Sequence, residues 1–179
     1  MTGHLDEIEG QVKRRNFDSP PLHLWHPELS GDIPIRIAAD GTWYHEGVVI
    51  QRESLVKLFA SILRREDDGD YYLVTPAEKW RIEVELHPLI VTDVSRVPGA
   101  GQPLLQATLN TGKTLEIGER HGLFLEPDVG DIPAVQLDHG LTALFSRPAW
   151  YRLVELADDR GGTPTVTSGD YAFALLPKA

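Results

Sequence analysis

Two arginines, Arg52 and Arg147, and one lysine, Lys79, carry the side chains best suited to holding an anion. A guanidinium is a planar fork of donors that matches a carboxylate or phosphate in two places, and an ammonium adds a point charge. Trp43, Tyr72 and Trp80 supply rings that can stack on a flat ligand. Arg52 and Arg147 also each precede an apolar run with helical spacing, where the helix dipole does not favour a cation. The competing reading is structural: each guanidinium pairs with a neighbouring carboxylate or caps backbone, and the aromatic residues belong to the core.

Other chemistry finds less support. Ala107 to Thr114 (A-T-L-N-T-G-K-T) has the spacing of a phosphate-binding loop, with Lys113 and Thr114 in place. Such a loop must open a helix whose amides face the phosphates, whereas Leu115-Glu116-Ile117 continues as a strand, so the stretch reads as a hairpin turn. His23 and His26 lie in a proline-rich stretch, and no carboxylate joins them at helical spacing, so no metal site is expected. Glu66-Asp67-Asp68-Gly69-Asp70 lacks the alternating ligands and closing glutamate of a calcium loop and reads as a solvated connection between helix and strand. No serine sits in a G-x-S-x-G setting, and Pro98-Gly99-Ala100-Gly101 lacks the third glycine of a dinucleotide fingerprint. A hydrolase using His45 with Glu46 or Glu78 ranks last, because neighbours on a strand point to opposite faces. No catalytic residue and no cofactor is therefore expected.

Composition narrows the setting. The chain has no cysteine, which removes thiol chemistry and disulfides and suits a reducing compartment. Seventeen basic against 27 acidic side chains give a net charge of −10, a field that repels a nucleic-acid backbone. Charged residues interrupt the first twenty positions, so no secretory signal is read there, and the apolar stretch Leu55 to Leu63 is too short for a membrane span. The expectation is a soluble, cytoplasmic protein with neither a nucleic-acid polymer nor a membrane as partner.

The elements that would position the candidate residues follow from periodicity. Residues 5–15 suit a short helix with Leu5, Ile8 and Val12 on one side, and residues 1–30 read as an arm laid over the body. Ile33, Ile35 and Ile37 alternate, Asp40-Gly41 marks a turn, and Trp43 to Ile50 returns as one strand. Leu55, Leu58, Phe59 and Ile62 form a helical face, the helix ending before Gly69 with Arg64 and Arg65 at its negative end. Tyr71 to Thr75 and Trp80 to Leu86 make a hairpin, as do Leu104 to Leu109 and Thr114 to Ile117.

Gly31-Asp32-Ile33-Pro34 recurs as Gly130-Asp131-Ile132-Pro133, and Gly41 and Gly140 follow the two copies at equal distance. The helices superpose at one constant offset, Arg52 on Arg147, Leu55 on Trp150, Leu58 on Leu153 and Phe59 on Val154. An internal duplication follows, with a first α+β unit at 31–86 and a second, with extra strands, at 87–179. The fold class is α+β, built from duplicated units of β-hairpin and helix, and a ligand is expected between the halves.

Asp40-Gly41-Thr42-Trp43, Arg52 to Leu63 and Tyr71 to Lys79, with Arg147 to Tyr151 as a second block, resemble the bacterial family known as domain of unknown function 1285. The match runs over about residues 20–176. The resemblance implies a duplicated α+β fold whose C-terminal half is superficially like a pleckstrin-homology domain. It also implies a nucleotide-like ligand, a role in signal transduction and no known catalytic activity. The ligand-binding set then reads Arg52, Arg147, Lys79, Glu78, Trp43 and Tyr72. The alternative is a protein–protein interaction scaffold that needs no small ligand.

Overall fold

The structure, a computed structural model, describes residues 3–13 and 19–176. The chain falls into two compact units, one up to Leu86 together with His139–Leu141, the other comprising His87–Asp138 and the chain from Thr142 onwards. No helix among the described residues is long and apolar enough to cross a membrane.

In the first unit, helix α1 (Gly3–Lys13) buries Ile8, and its neighbour is helix α2 (Glu53–Ser61). Positions 14 and 15 of the helix expected over 5–15 lie outside the described residues, as does the side chain of Val12. Strand β1 (Leu29–Ile37) turns Ile33, Ile35 and Ile37 into the core and leaves Asp32 and Pro34 exposed. The single returning strand expected over 43–50 is split into β2 (Trp43–His45) and β3 (Val48–Val49). Glu46 and Gly47 between them both hold positive φ, 50° and 78°, which reverses the chain.

The helix expected to run towards Gly69 ends at Ser61, and Leu63–Arg65 is strand β4. It pairs with β5 (Tyr71–Val74), Leu63 opposite Leu73 and Arg64 opposite Tyr72. Glu66 to Asp70 is therefore a hairpin turn and not a helix–strand connection: Gly69 N–H donates to the Glu66 carbonyl at 2.9 Å. Arg64 and Arg65 accordingly serve no helix dipole. At the next turn Thr75 Oγ1 accepts from the amide of Glu78 at 3.0 Å, and β6 (Lys79–Val84) follows.

The second unit holds β7 (Leu89–Val97), β8 (Leu104–Leu109), β9 (Thr114–Ile117), β10 (Leu123–Glu126), β11 (Ile132–Gln136) and β12 (Thr142–Phe145). Helix α3 (Arg147–Glu155) follows, and then a three-stranded sheet of β13 (Asp158–Arg160), β14 (Thr163–Ser168) and β15 (Tyr171–Ala174). Ser146 caps α3 by accepting from the Ala149 amide, Pro148 occupies the first turn, and Ala149 and Leu153 are buried. Asn110 to Lys113 is a hairpin turn in which the Gly112 amide donates to the Leu109 carbonyl at 2.8 Å.

The duplication is visible in strand order. The sheets run β3-β2-β1-β6-β5-β4 and β9-β8-β7-β12-β11-β10. In each, the first strand lies centrally, two strands build outwards, the chain crosses to the far edge, and two strands build back. The sixth then lies parallel to the first, β6 on β1 and β12 on β7, while every other pairing is antiparallel.

This order corrects the residue matching drawn from the sequence. Gly31 to Pro34 lie in the first strand of their sheet, whereas Ile132-Pro133 open the fifth strand of theirs. Helix α2 sits between the third and fourth strands, and α3 comes after the sixth. Arg52 and Arg147 are thus not equivalent positions. Apolar spacing of three and four recurs in any amphipathic helix, so two such helices superpose whether or not they share a place in the fold. Phe59 is fully buried, while Val154, its supposed counterpart, is 45% exposed.

The loop between β7 and β8 contains Gly99, where an added Cβ would collide with the Gln102 carbonyl oxygen and stand 2.8 Å from the Leu104 side chain. Because a backbone oxygen cannot swing aside, Gly99→Ala is expected to cost about 2 kcal/mol, read as a lower denaturation midpoint.

Candidate functional site

Two of the six expected ligand-binding residues meet in the first unit. In the β5–β6 hairpin Tyr72 pairs with Arg81 and Val74 with Lys79, so Tyr72, Lys79 and Arg81 share a face. The Lys79 ammonium lies 4.7 Å from the centre of the Tyr72 ring and the Arg81 guanidinium 5.7 Å from it. The Tyr72 hydroxyl donates to Asp68, which holds the phenol above and the Asp68 carboxyl below their ordinary titration ranges. Lys79 Nζ reaches Glu66 at 2.8 Å, and the other oxygen of Glu66 accepts from Arg64 at 2.6 Å. Burial alone would push the Glu66 carboxyl up, but the hydrogen bonds from Lys79 and Arg64 outweigh it and hold the group below the ordinary glutamate value.

Arg64 also ties down the segment before β1. Its Nη1 donates to the carbonyls of Leu22 and Trp25, each at 2.9 Å, and both of those side chains are buried. Tyr72 is consequently only 2% exposed and Lys79 is committed to Glu66. This is a closed polar network in which each charge faces a partner.

The other expected residues are scattered. Trp43 is 2% exposed and stacks on Phe59 with ring centres 6.4 Å apart, a core position. Glu78 sits in the β5–β6 turn, where its carbonyl accepts from the Thr75 amide. Arg52 stands at the N-terminal boundary of α2, where its side chain makes no capping hydrogen bond, and pairs with Glu9 at 2.5 Å. Arg147, in the second unit, is exposed and has no ion pair among the described residues.

Sequence reasoning missed three features. On α3, Arg147, Trp150, Tyr151 and Val154 fall on one face, the Trp150 and Tyr151 rings stack 6.3 Å apart at 23°, and Tyr151 is 59% exposed. The apolar spacing predicts a buried face here as in α2, yet Tyr151 and Val154 stay exposed and only Ala149 and Leu153 are buried. In the second unit His87, 4% exposed, bridges Thr142 Oγ1 at 2.6 Å through Nδ1 and Glu126 Oε2 at 2.8 Å through Nε2. With a neutral ring, Nε2–H donates to the carboxylate and Nδ1 accepts from the hydroxyl. Only the fold brings these three together, since they come from β10, β12 and the link before β7.

The third feature is a groove of about 770 Å³ in the first unit. Between Asp32 opposite Arg81 and Arg36 opposite Glu83, three residues of β1 face one of β6, and the groove lies along this irregularity. Charged side chains from β1, β4 and β6 and from the Glu46-Gly47 turn line it. No group of three or more metal-ligating side chains occurs among the described residues.

Comparison with known proteins now gives these observations a family. The model of the DUF1285 N-terminal domain, a domain of unknown function, matches residues 20–86, and that of the DUF1285 C-terminal domain matches 88–175. A solved DUF1285 protein from Silicibacter pomeroyi DSS-3 is 35% identical, covers 94% of each chain and superposes with a TM-score of 0.83. One from Shewanella baltica OS155 is 30% identical, covering 69% of this chain and 91% of its own, with a TM-score of 0.57. No curated protein matches. With both of its domains matched and its fold shared along nearly the full length, the chain belongs to the DUF1285 family.

Proposed function

We propose that the protein is a non-catalytic module that binds a small anionic, nucleotide-like ligand and passes the bound state to a partner in signalling. The observation that carries this reading is the face of α3: an exposed guanidinium, Arg147, followed one turn on by the stacked Trp150–Tyr151 pair. A phosphate needs the first and a base needs the second. Arg52 and Lys79 are already held by carboxylates and would add to the site only by exchanging those partners.

A thermal-shift screen against nucleotides, followed by calorimetric titration of any hit, tests the reading. A ligand at 100 times its dissociation constant adds about 2.7 kcal/mol to folding stability, a visible shift. Arg147→Ala is expected to weaken a true hit by about ten- to a hundredfold, the worth of one charge-assisted hydrogen bond, and Tyr151→Ala to weaken it too. A flat screen on folded protein would sink the idea. The second reading, a protein-interaction scaffold, draws on the exposed apolar side chains of Tyr151 and Val154. It is favoured if a stoichiometric partner is lost on Tyr151→Ala while the nucleotide screen stays flat.

A further inference from the structure

Strand β3 is a terminal strand of the first sheet. The Ile50 amide donates to the Trp43 carbonyl at 2.9 Å, so positions 43 and 50 form a hydrogen-bonded pair and Tyr44 opposite Val49, one step along, a non-hydrogen-bonded one. The N–H and C=O of Val49 therefore point away from β2, towards the open edge. Val48 is 69% exposed and Val49 43%. From Gly47 to Gln51 the edge carries no charge and no proline, two of the devices that keep edge strands from pairing. Extended backbone also outlasts β3: Arg52, with φ −75° and ψ 101°, is still in the strand region where α2 begins.

The residues on either side of Val49 make this edge complementary to itself. Antiparallel self-pairing sets outward-pointing groups against outward-pointing groups, so Val49 must meet position 47, 49 or 51 of the other copy. With Val49 on Val49, two N–H···O=C bonds form about a two-fold axis, Gly47 faces Gln51, and Val48 packs against Ile50. The same register sets Glu46, at the corner of the β2–β3 turn, beside Arg52 of the other copy. Glu46 makes no ion pair with a described residue, and the Arg52 side chain is 56% exposed although it already reaches Glu9. A slide of two residues either way would set Glu46 against Ile50 or Ser54 and lose that pairing of charges. We propose that β3 is a homodimer edge, at which two copies of this chain join their first sheets by antiparallel pairing of Val48 to Arg52 about Val49. An interface this short falls below the about 1,000 Å² of a permanent one, so the dimer forms and dissociates with concentration.

Sedimentation velocity of the full chain, from micromolar to millimolar concentration, is expected to show monomer giving way to dimer. Val49→Lys sets two ammonium groups against each other across the axis and should weaken the dimer at least about tenfold. Its melting temperature as a monomer should stay in place, since the position is exposed. The chain has no cysteine, so a single introduced thiol reports the register. Hydrogen-bonded neighbours in an antiparallel pair lie about 5.5 Å apart at Cα, within the span of a disulfide. Val49→Cys should therefore oxidise to a covalent dimer, whereas Val154→Cys on α3, 45% exposed in the parent, should not. Arg147→Ala should leave the association constant unchanged, so this edge and the α3 reading stand or fall separately. A Val49→Lys variant that dimerises like the parent, or cross-linking no faster through Val49→Cys than through Val154→Cys, would overturn the assignment. A chain that stays monomeric at millimolar concentration would overturn it too, and would leave the edge to an extended segment of another protein.

Discussion

Arg64→Ala is expected to destabilise the first unit by about 3 kcal/mol, because one side chain satisfies three acceptors at once. Its side chain is 13% exposed, and the guanidinium donates to two backbone carbonyls of the Leu22–Trp25 segment and to Glu66. Removal strands the carbonyls and takes from Glu66 one of the two cations that hold it ionised. Chemical denaturation should show the lost stability, and limited proteolysis should cut ahead of β1 sooner than in the parent. Arg64→Lys should restore little, since an ammonium cannot span the Leu22 and Trp25 carbonyls and Glu66 as a fork does.

The same network sets a pH dependence with a definite sign. The Glu66 carboxyl titrates lower in the folded chain than in the unfolded one. Its contribution is therefore complete above the ordinary value of 4.5 and is lost as the pH falls through the lower, folded value. The stability difference between the parent and Glu66→Gln should be full at neutral pH and shrink below that point.

How far such features were legible depends on whether the signal was local. The turn at Asn110 to Lys113 declared itself by glycine chemistry, and the two helices by apolar spacing. Strand β4 did not, because Ile62-Leu63 extend the α2 spacing and only the pairing of Leu63 with Leu73 decides for a strand. The repeat was legible as a fact and misread in register, since the four-residue motif recurs outside the strand order that relates the sheets. The site divides along the same line. Tyr72 and Lys79 come together through one hairpin, a local event. The exposure of Tyr151 depends on which partners the whole fold withholds, and no spacing encodes that.

His87→Ala is the corresponding experiment in the second unit, with an expected loss of about 3–4 kcal/mol. The imidazole is packed near Phe124, ring centres 6.1 Å apart, so alanine forfeits burial and also leaves Thr142, 7% exposed, and Glu126, its side chain 14% exposed, without the ring between them. Hydrogen bonding and packing can be separated by His87→Gln, whose amide offers one donor and one acceptor as the neutral ring does. If Gln recovers about half of the loss, the relay holds β10, β12 and the link before β7 together mainly through its two hydrogen bonds. If Gln is as damaging as Ala, the ring's packing is what matters. Amide hydrogen exchange in Thr142–Phe145 should speed up in either variant in proportion to the lost stability, because Thr142 is where the relay meets the central strands of the sheet. Unchanged protection there would mean that the three side chains meet without bearing on the unit's stability.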